Sequence, residues 1–195
     1  MTKSVEFLFD FGSPTTFLAY KQLPKIASRH GARITWTPIL LGAVFKATGN
    51  SSPAMIPSKA RYMGSDLQRF ARRYGVVLNM NAHFPVNTLP LMRGAVAYQQ
   101  TPLFDIYVNA MFDAMWSHPR NLNDPGEIAH VLRDIGVKAE DFMTRIDRPD
   151  VKERLKANTE GAVARGVFGA PSFFVNGELF FGQDRLDFVE EALLP

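Results

Sequence analysis

The chain of 195 residues contains no cysteine. That absence excludes structural disulfides, thiolate metal sites, iron–sulfur clusters and a cysteine nucleophile, and it agrees with a reducing compartment. No apolar stretch reaches the ~20 residues that span a bilayer. The opening Met1-Thr2-Lys3-Ser4-Val5-Glu6-Phe7 lacks the charged start, long apolar stretch and small-residue cleavage site of a secretory signal. The expected location is therefore the cytoplasm, with no membrane partner. An excess of one charge is also missing: 22 Lys and Arg against 19 Asp and Glu leave +3, too little to demand nucleic acid. No Gly-rich phosphate loop occurs. His30 and His83 lack a second ligand at metal-binding spacing, so no metal is expected.

What is present suits one domain carrying a large insertion. The 46% hydrophobic and 21% charged content is that of an ordinary globular chain, and 16 Phe supply a sizeable core. Val5, Phe7, Phe9 and Phe11 alternate while Leu8 interrupts the polar face, which reads as a strand buried on both sides. Gly12 then permits a turn, Ser13 is a favoured N-cap and Pro14 suits the first helical position. A helix to about Arg29 follows, with Phe17, Leu18, Leu23, Ile26 and Ala27 inward. Arg33–Pro38 makes a second strand and completes a βαβ unit. From Leu40 to about Arg165 the pattern is helical, broken at Asn50–Pro57, Asn79–Pro90 and His118–Asp124. Strand character returns in 171–175 and 178–181 around Asn176-Gly177, a strong hairpin signal. A last helix starts near Asp184 with Leu186, Phe188, Val189 and Leu193 inward.

The expected fold is α/β: a thioredoxin-like βαβ…ββα domain from residues 1–40 and 166–195, with an all-helical insertion over 41–165. A cleft between the two is a natural ligand site.

Ser13 stands where a strand end meets a helix N-terminus, a place that favours negative charge. Its hydroxyl could donate to a thiolate or an oxyanion, or it could only cap the helix. Gly169-Ala170-Pro171-Ser172 places a proline before the closing hairpin. In thioredoxin-like folds that proline has a cis peptide bond and faces the first helix; an ordinary trans proline entering a strand is the plainer alternative. Ser13-Pro14-Thr15-Thr16 has the frame of a C-x-x-C motif with hydroxyls for sulfurs. Hydroxyls cannot form a disulfide but can stabilise a thiolate brought by a cofactor.

Several segments together carry a resemblance: Phe9-Asp10-Phe11-Gly12-Ser13-Pro14, Gly49-Asn50, Pro57-Ser58-Lys59-Ala60-Arg61-Tyr62-Met63, Phe168-Gly169-Ala170-Pro171 and Phe181-Gly182-Gln183-Asp184-Arg185-Leu186. Over nearly its whole length the chain resembles the 2-hydroxychromene-2-carboxylate isomerases, relatives of the kappa-class glutathione transferases. The resemblance implies a thioredoxin-like domain that binds glutathione as cofactor, with Ser13 facing the sulfur beside Pro14 and Thr15. It implies that the backbone of Ala170, before Pro171, holds the cysteinyl part. It places Gln183 and Asp184, after Gly182, at the γ-glutamyl end, and Asn50 and Lys59 near the glycyl end. Gln183 stands where that family has Ser or Asn.

Two readings stand side by side for several of these. Asp184 either caps the last helix or faces the glutathione amino group. Lys59 either pairs with a carboxylate or belongs to the solvated face with Arg61, Arg69, Arg72 and Arg73, which no aromatic surface is expected to accompany. Trp116, His118 and Arg120 either line an aromatic-acid pocket or serve packing and helix capping.

The expected function is a glutathione-dependent cis–trans isomerase that interconverts 2-hydroxychromene-2-carboxylate and an o-hydroxybenzylidenepyruvate-type acid in aromatic catabolism. A kappa-like transferase and a non-catalytic thiol-binding module are the alternatives. A homodimer is expected from the resemblance, and from apolar side chains such as Met111, Phe112, Met115 and Trp116 left over on the insertion.

Overall fold

A computed structural model describes residues 3–194; Met1, Thr2 and Pro195, within the expected terminal boundaries, lie outside them. Strand β1 (Ser4–Phe9), helix α1 (Pro14–His30) and strand β2 (Arg33–Pro38) form the opening βαβ unit. Seven helices follow: α2 (Leu41–Thr48), α3 (Pro57–Tyr74), α4 (Leu89–Tyr98), α5 (Phe104–Phe112), α6 (Pro125–Asp134), α7 (Ala139–Asp147) and α8 (Pro149–Ala164). Strands β3 (Ser172–Val175) and β4 (Glu178–Phe181) and helix α9 (Leu186–Glu191) close the chain.

The four strands form one mixed sheet in the order β2-β1-β3-β4, with β1 parallel to β2 and antiparallel to β3. This is the thioredoxin-like βαβ…ββα arrangement, with the helices α2–α8 inserted between β2 and β3. Alternation along β1 sorts its side chains. Val5, Phe7 and Phe9 join the large core with α1 and the insertion, while Leu8 packs on the other face with Ile39, Val44 and Val167. The hairpin between β3 and β4 turns on Asn176 at φ 52° and Gly177 at φ 85°, the left-handed pair such a tight turn needs. Helix α1 starts on Ser13, whose Oγ accepts from the Thr16 N–H at 3.1 Å, and ends on Gly31.

Four details differ from the sequence reading. Helix α9 begins at Leu186, after a 3₁₀ turn over Gln183–Arg185, and Phe188 is exposed on it rather than inward. The Phe84–Pro85 peptide is also cis, a bond to which the sequence reading gave no role. Met111, Phe112, Met115 and Trp116 are fully buried and leave no apolar surface over. Helix α5 runs into a wide turn closed by the His118 N–H on the Asp113 carbonyl at 2.9 Å, so these side chains enter the shared core. Finally, aromatics do accompany the basic face of α3, because Arg69 stacks over Tyr62 and Arg73 over Phe70. Among the described residues, no helix is long and apolar enough to cross a membrane.

Candidate active site

A cavity of about 700 Å³ opens between the C-terminal end of β1, the start of α1, the hairpin β3–β4 and helices α2 and α3. That volume is in the range of ligand sites, roughly 300–1,000 Å³. Ser13, Pro14 and Thr15 enter it from the first turn of α1, Ala170 from the segment before β3, and Gly182, Gln183 and Asp184 from the turn after β4.

Ser13 is buried, and its Oγ donates to the Ala170 carbonyl at 3.1 Å. Thr15 Oγ1 lies 2.8 Å from Ser13 Oγ and donates to the same carbonyl at 3.3 Å. Two hydroxyls thus converge on one backbone oxygen, at the positive end of a 17-residue helix. The Ala170–Pro171 peptide is cis, and its proline carbonyl accepts from the Gly182 N–H at 3.0 Å. That bond ties the Ala170 segment to the turn after β4. Gly182 sits at φ +100°, a conformation that side chains rarely adopt, and so lets Gln183 and Asp184 turn back toward the cavity.

Gln183 is buried in the cavity wall, and its carbonyl accepts from the Tyr74 hydroxyl at 3.1 Å. Burial first, and then the Asp187 charge, push the Tyr74 phenol up to about 12, so it remains a donor. Asp184 makes no capping bond; its carboxylate accepts from Arg185 Nη1 at 2.7 Å. Asn50 lines the cavity and donates from Nδ2 to the Phe168 carbonyl at 2.8 Å, which ties the end of α2 to the Ala170 segment. Trp116 also lines the cavity, fully buried, with its indole N–H on the Phe11 carbonyl at 2.7 Å.

Two expected site residues stand elsewhere. Lys59 is exposed and borders a separate shallow groove with Pro53, Ser58, Tyr62 and Met63, because it lies on the outer side of the first turn of α3. Arg120 is outside the cavity lining; it reaches toward Glu127 and Asp134 at 3.7 and 3.8 Å. Its partners lie on α6, which turns it away.

One residue of the site carried no role in the sequence reading. Asp10 is buried in the cavity lining. Its Oδ1 accepts from the Gly12 N–H at 2.8 Å, and its Oδ2 accepts from the Leu41 N–H at 2.8 Å and from Thr88 Oγ1 at 3.1 Å. Burial raises its pKa above the ordinary carboxyl value, and the two N–H bonds and the Thr88 bond oppose that rise. Asp10 therefore fastens three walls together: the turn before Ser13, the start of α2 and the start of α4. Its acidic side chain inside an otherwise apolar strand run was the available signal.

Comparisons with known proteins bear on the fold and the family of the chain. The model of the DsbA-like thioredoxin domain matches residues 4–194. A 2-hydroxychromene-2-carboxylate isomerase from Sphingobium xenophagum is 35% identical over 198 residues, covering 100% of both chains. The chain belongs to the 2-hydroxychromene-2-carboxylate isomerase family. A solved structure of a 2-hydroxychromene-2-carboxylate isomerase superposes with a TM-score of 0.86 at 32% identity, covering 97% of this chain and 94% of that one. The human protein named glutathione S-transferase kappa 1 is 26% identical over 211 residues, covering 99% of this chain and 92% of its own. The cavity just described, which joins the first turn of α1 to the Ala170 segment, is the candidate site of this chain.

Proposed function

We propose that this chain is a glutathione-dependent cis–trans isomerase of conjugated aromatic carbonyl compounds, the class to which 2-hydroxychromene-2-carboxylate and its opened o-hydroxybenzylidenepyruvate form belong. The observation that carries the reading is the buried Ser13 hydroxyl at the start of α1, 3.1 Å from the Ala170 carbonyl at the wall of a ligand-sized cavity. A glutathione sulfur placed beside Ser13 meets a hydroxyl donor and the positive end of a helix. Both favour the thiolate and lower the thiol pKa. Thr15 can take over part of the hydrogen bonding to Ala170 when Ser13 turns to the sulfur. Asp184 faces the cofactor's amino group, and Gln183 and Asn50 supply polar contacts to its backbone.

Bound glutathione would supply a nucleophilic thiolate that adds reversibly to the conjugated alkene and is returned unchanged, chemistry that needs no redox partner. Ser13 would hold and orient its sulfur, and the first-turn N–H groups and dipole of α1 would stabilise its charge.

The likeness to kappa-class transferases supports a second reading, in which the same thiolate adds and the adduct is released. Product analysis separates the two: an isomer with glutathione undiminished, or a stoichiometric conjugate. A homodimer goes with this proposal on the strength of the family likeness, and a cytoplasmic location agrees with the absence of cysteine.

Ser13→Ala tests the site. The expected result is a higher pKa of bound glutathione, read as thiolate absorbance against pH, and turnover slower by about ten- to a hundredfold near neutral pH. That is the loss of one charge-assisted hydrogen bond, about 1.5–3 kcal/mol. Glutathione affinity should change less. Titration curves that overlap the wild type, with unchanged turnover, would return Ser13 to the role of a helix cap.

A further inference from the structure

The turn that presents Ser13 lies beyond the reach of the sheet. Pairing of β1 with β3 ends at Leu8, and pairing with β2 ends at Phe9, opposite Pro38. The Ile39 N–H on the Phe9 carbonyl, at 3.1 Å, is the last bond from that side. Phe11 stands past it and is fully buried, so its backbone polar groups must find partners inside the protein.

Both partners come from the helical insertion. The Phe11 N–H donates to Met92 Sδ of α4 at 3.4 Å, and the Phe11 carbonyl accepts from the Trp116 indole N–H at 2.7 Å. A thioether is a weak acceptor, yet it is the one this N–H has among the described residues. Gly12 is held as closely. Its N–H goes to Asp10 Oδ1 at 2.8 Å, and an added Cβ would meet the Thr88 methyl at 3.1 Å. Only Gly12 separates Phe11 from Ser13. A shift of Phe11 is therefore passed on to the Ser13 hydroxyl rather than absorbed between them. Met92 is fully buried and outside the cavity lining, so it can act on the chemistry only through the backbone that it holds.

Resting on the glutathione-dependent isomerase reading above, we propose that Met92 and Trp116 are positioning residues for Ser13. They clamp Phe11 from the helical insertion, one at its N–H and one at its carbonyl, and the clamp sets where the Ser13 hydroxyl meets the cofactor's sulfur. The βαβ opening supplies the hydroxyl and the helix dipole, and the insertion supplies their placement.

Met92→Leu tests the clamp. It keeps the apolar volume and removes the acceptor, a swap that cores tolerate. Met111→Leu is the control, because Met111 is equally buried in the same core but holds no part of the turn. In the chain without glutathione, amide hydrogen exchange at Phe11 should be faster in Met92→Leu than in the wild type, with Phe7 on β1 unchanged. With glutathione bound, its thiol pKa, read as thiolate absorbance against pH, should rise. With 2-hydroxychromene-2-carboxylate as the probe, kcat should fall on the order of tenfold, within the hundredfold that a misplacement of about 1 Å can cost, and KM should move less. Met111→Leu should leave all of these at their wild-type values. Trp116→Phe keeps an aromatic ring in the cavity wall and loses the donor, and it should raise the thiol pKa in the same direction. Glutathione-dependent turnover in the wild type, with a thiol pKa and a kcat that Met92→Leu shifts no further than Met111→Leu does, overturns the positioning role and leaves the isomerase reading standing. Where Met92→Leu does not fold, the thiol pKa in Trp116→Phe decides, and an unshifted value overturns the role. No glutathione-dependent turnover in the wild type overturns the isomerase reading, and this inference with it.

Discussion

At the scale of the residue, the site depends on a few buried polar atoms that answer one another. Ser13 and Thr15 share the Ala170 carbonyl, and Asp10 gathers three donors from three separate segments. Thr88 precedes α4 without capping it; its hydroxyl is given to Asp10 instead. The consequence is a pH-dependent stability. Below the carboxyl's titration Asp10 is neutral in both the folded and the unfolded chain, and the Thr88 bond is an ordinary one. As pH rises through the unfolded value and then the raised folded value, the folded chain must hold a buried carboxylate, and each donor to it counts for more. Thr88→Val should therefore destabilise by about 1.5–3 kcal/mol on the alkaline side of that titration and by less in acid. Denaturant midpoints at two pH values, with unchanged slope, read this difference. An equal loss at both would show that the hydroxyl does not serve the charged form.

At the scale of the element, close approach decides as much as pattern. Helix α4 passes α5 and α7 at Gly94, where an added Cβ would run into the Tyr107 ring and its hydroxyl, and would meet Phe142 at 2.7 Å. Tyr107 uses that space to donate to the Leu91 carbonyl at 2.8 Å, although its ring is fully buried. Gly94→Ala gains helix propensity in α4 but must displace a tyrosine that has no other place for its hydroxyl. Overpacking of this kind costs about 1–3 kcal/mol, more than the ~1 kcal/mol of propensity regained, so a net loss is expected in the thermal midpoint. A stabilised variant would mean that α4 and α5 can part without cost. The same crossing shows what was legible beforehand. The βαβ opening, the Asn176-Gly177 hairpin and the long helical middle follow from periodicity and turn residues, and Ser13 with Ala170–Pro171 follows from the family pattern. Lys59, on the exposed side of α3, and Arg120, in the loop before α6, stand outside the cavity lining, and Phe188 faces out of α9; which neighbour covers a position is a tertiary fact. Asp10 was passed over for the same reason: its donors come from Gly12, Leu41 and Thr88, two of them far along the chain.

At the scale of the whole molecule, the thioredoxin-like part and the helical insertion share one core. Phe112 of α5 lies 4.8 Å from Phe11, 6.1 Å from Phe9, 6.0 Å from Phe17 and 4.7 Å from Tyr20 by ring centroids, all of them in the opening βαβ region. Trp116 is bonded to the Phe11 carbonyl, and Gln99 of the insertion donates to the Trp36 carbonyl on β2 at 2.6 Å. The cavity itself draws its walls from both parts. Neither part could keep its buried face if the other unfolded, so the whole should melt as one cooperative unit. The chain supplies its own probes, since its 2 tryptophans are Trp36 on β2 and Trp116 in the insertion. In Trp116→Phe the fluorescence reports on the sheet, and in Trp36→Phe it reports on the insertion. Each variant loses some stability, so its fluorescence midpoint is compared with the far-ultraviolet dichroism midpoint of the same variant, which follows the helices throughout the chain. Coincident midpoints within each variant are expected. If Trp36 in one variant reports a transition well separated from loss of helix, the sheet and the insertion fold apart and the shared core is not what holds them. Glutathione adds a second reading. A ligand bound only to the folded state stabilises by about 2.7 kcal/mol at a hundred times its Kd, and in a single cooperative unit both tryptophan transitions must shift by the same amount. A shift confined to one of them would place the binding energy in that part alone.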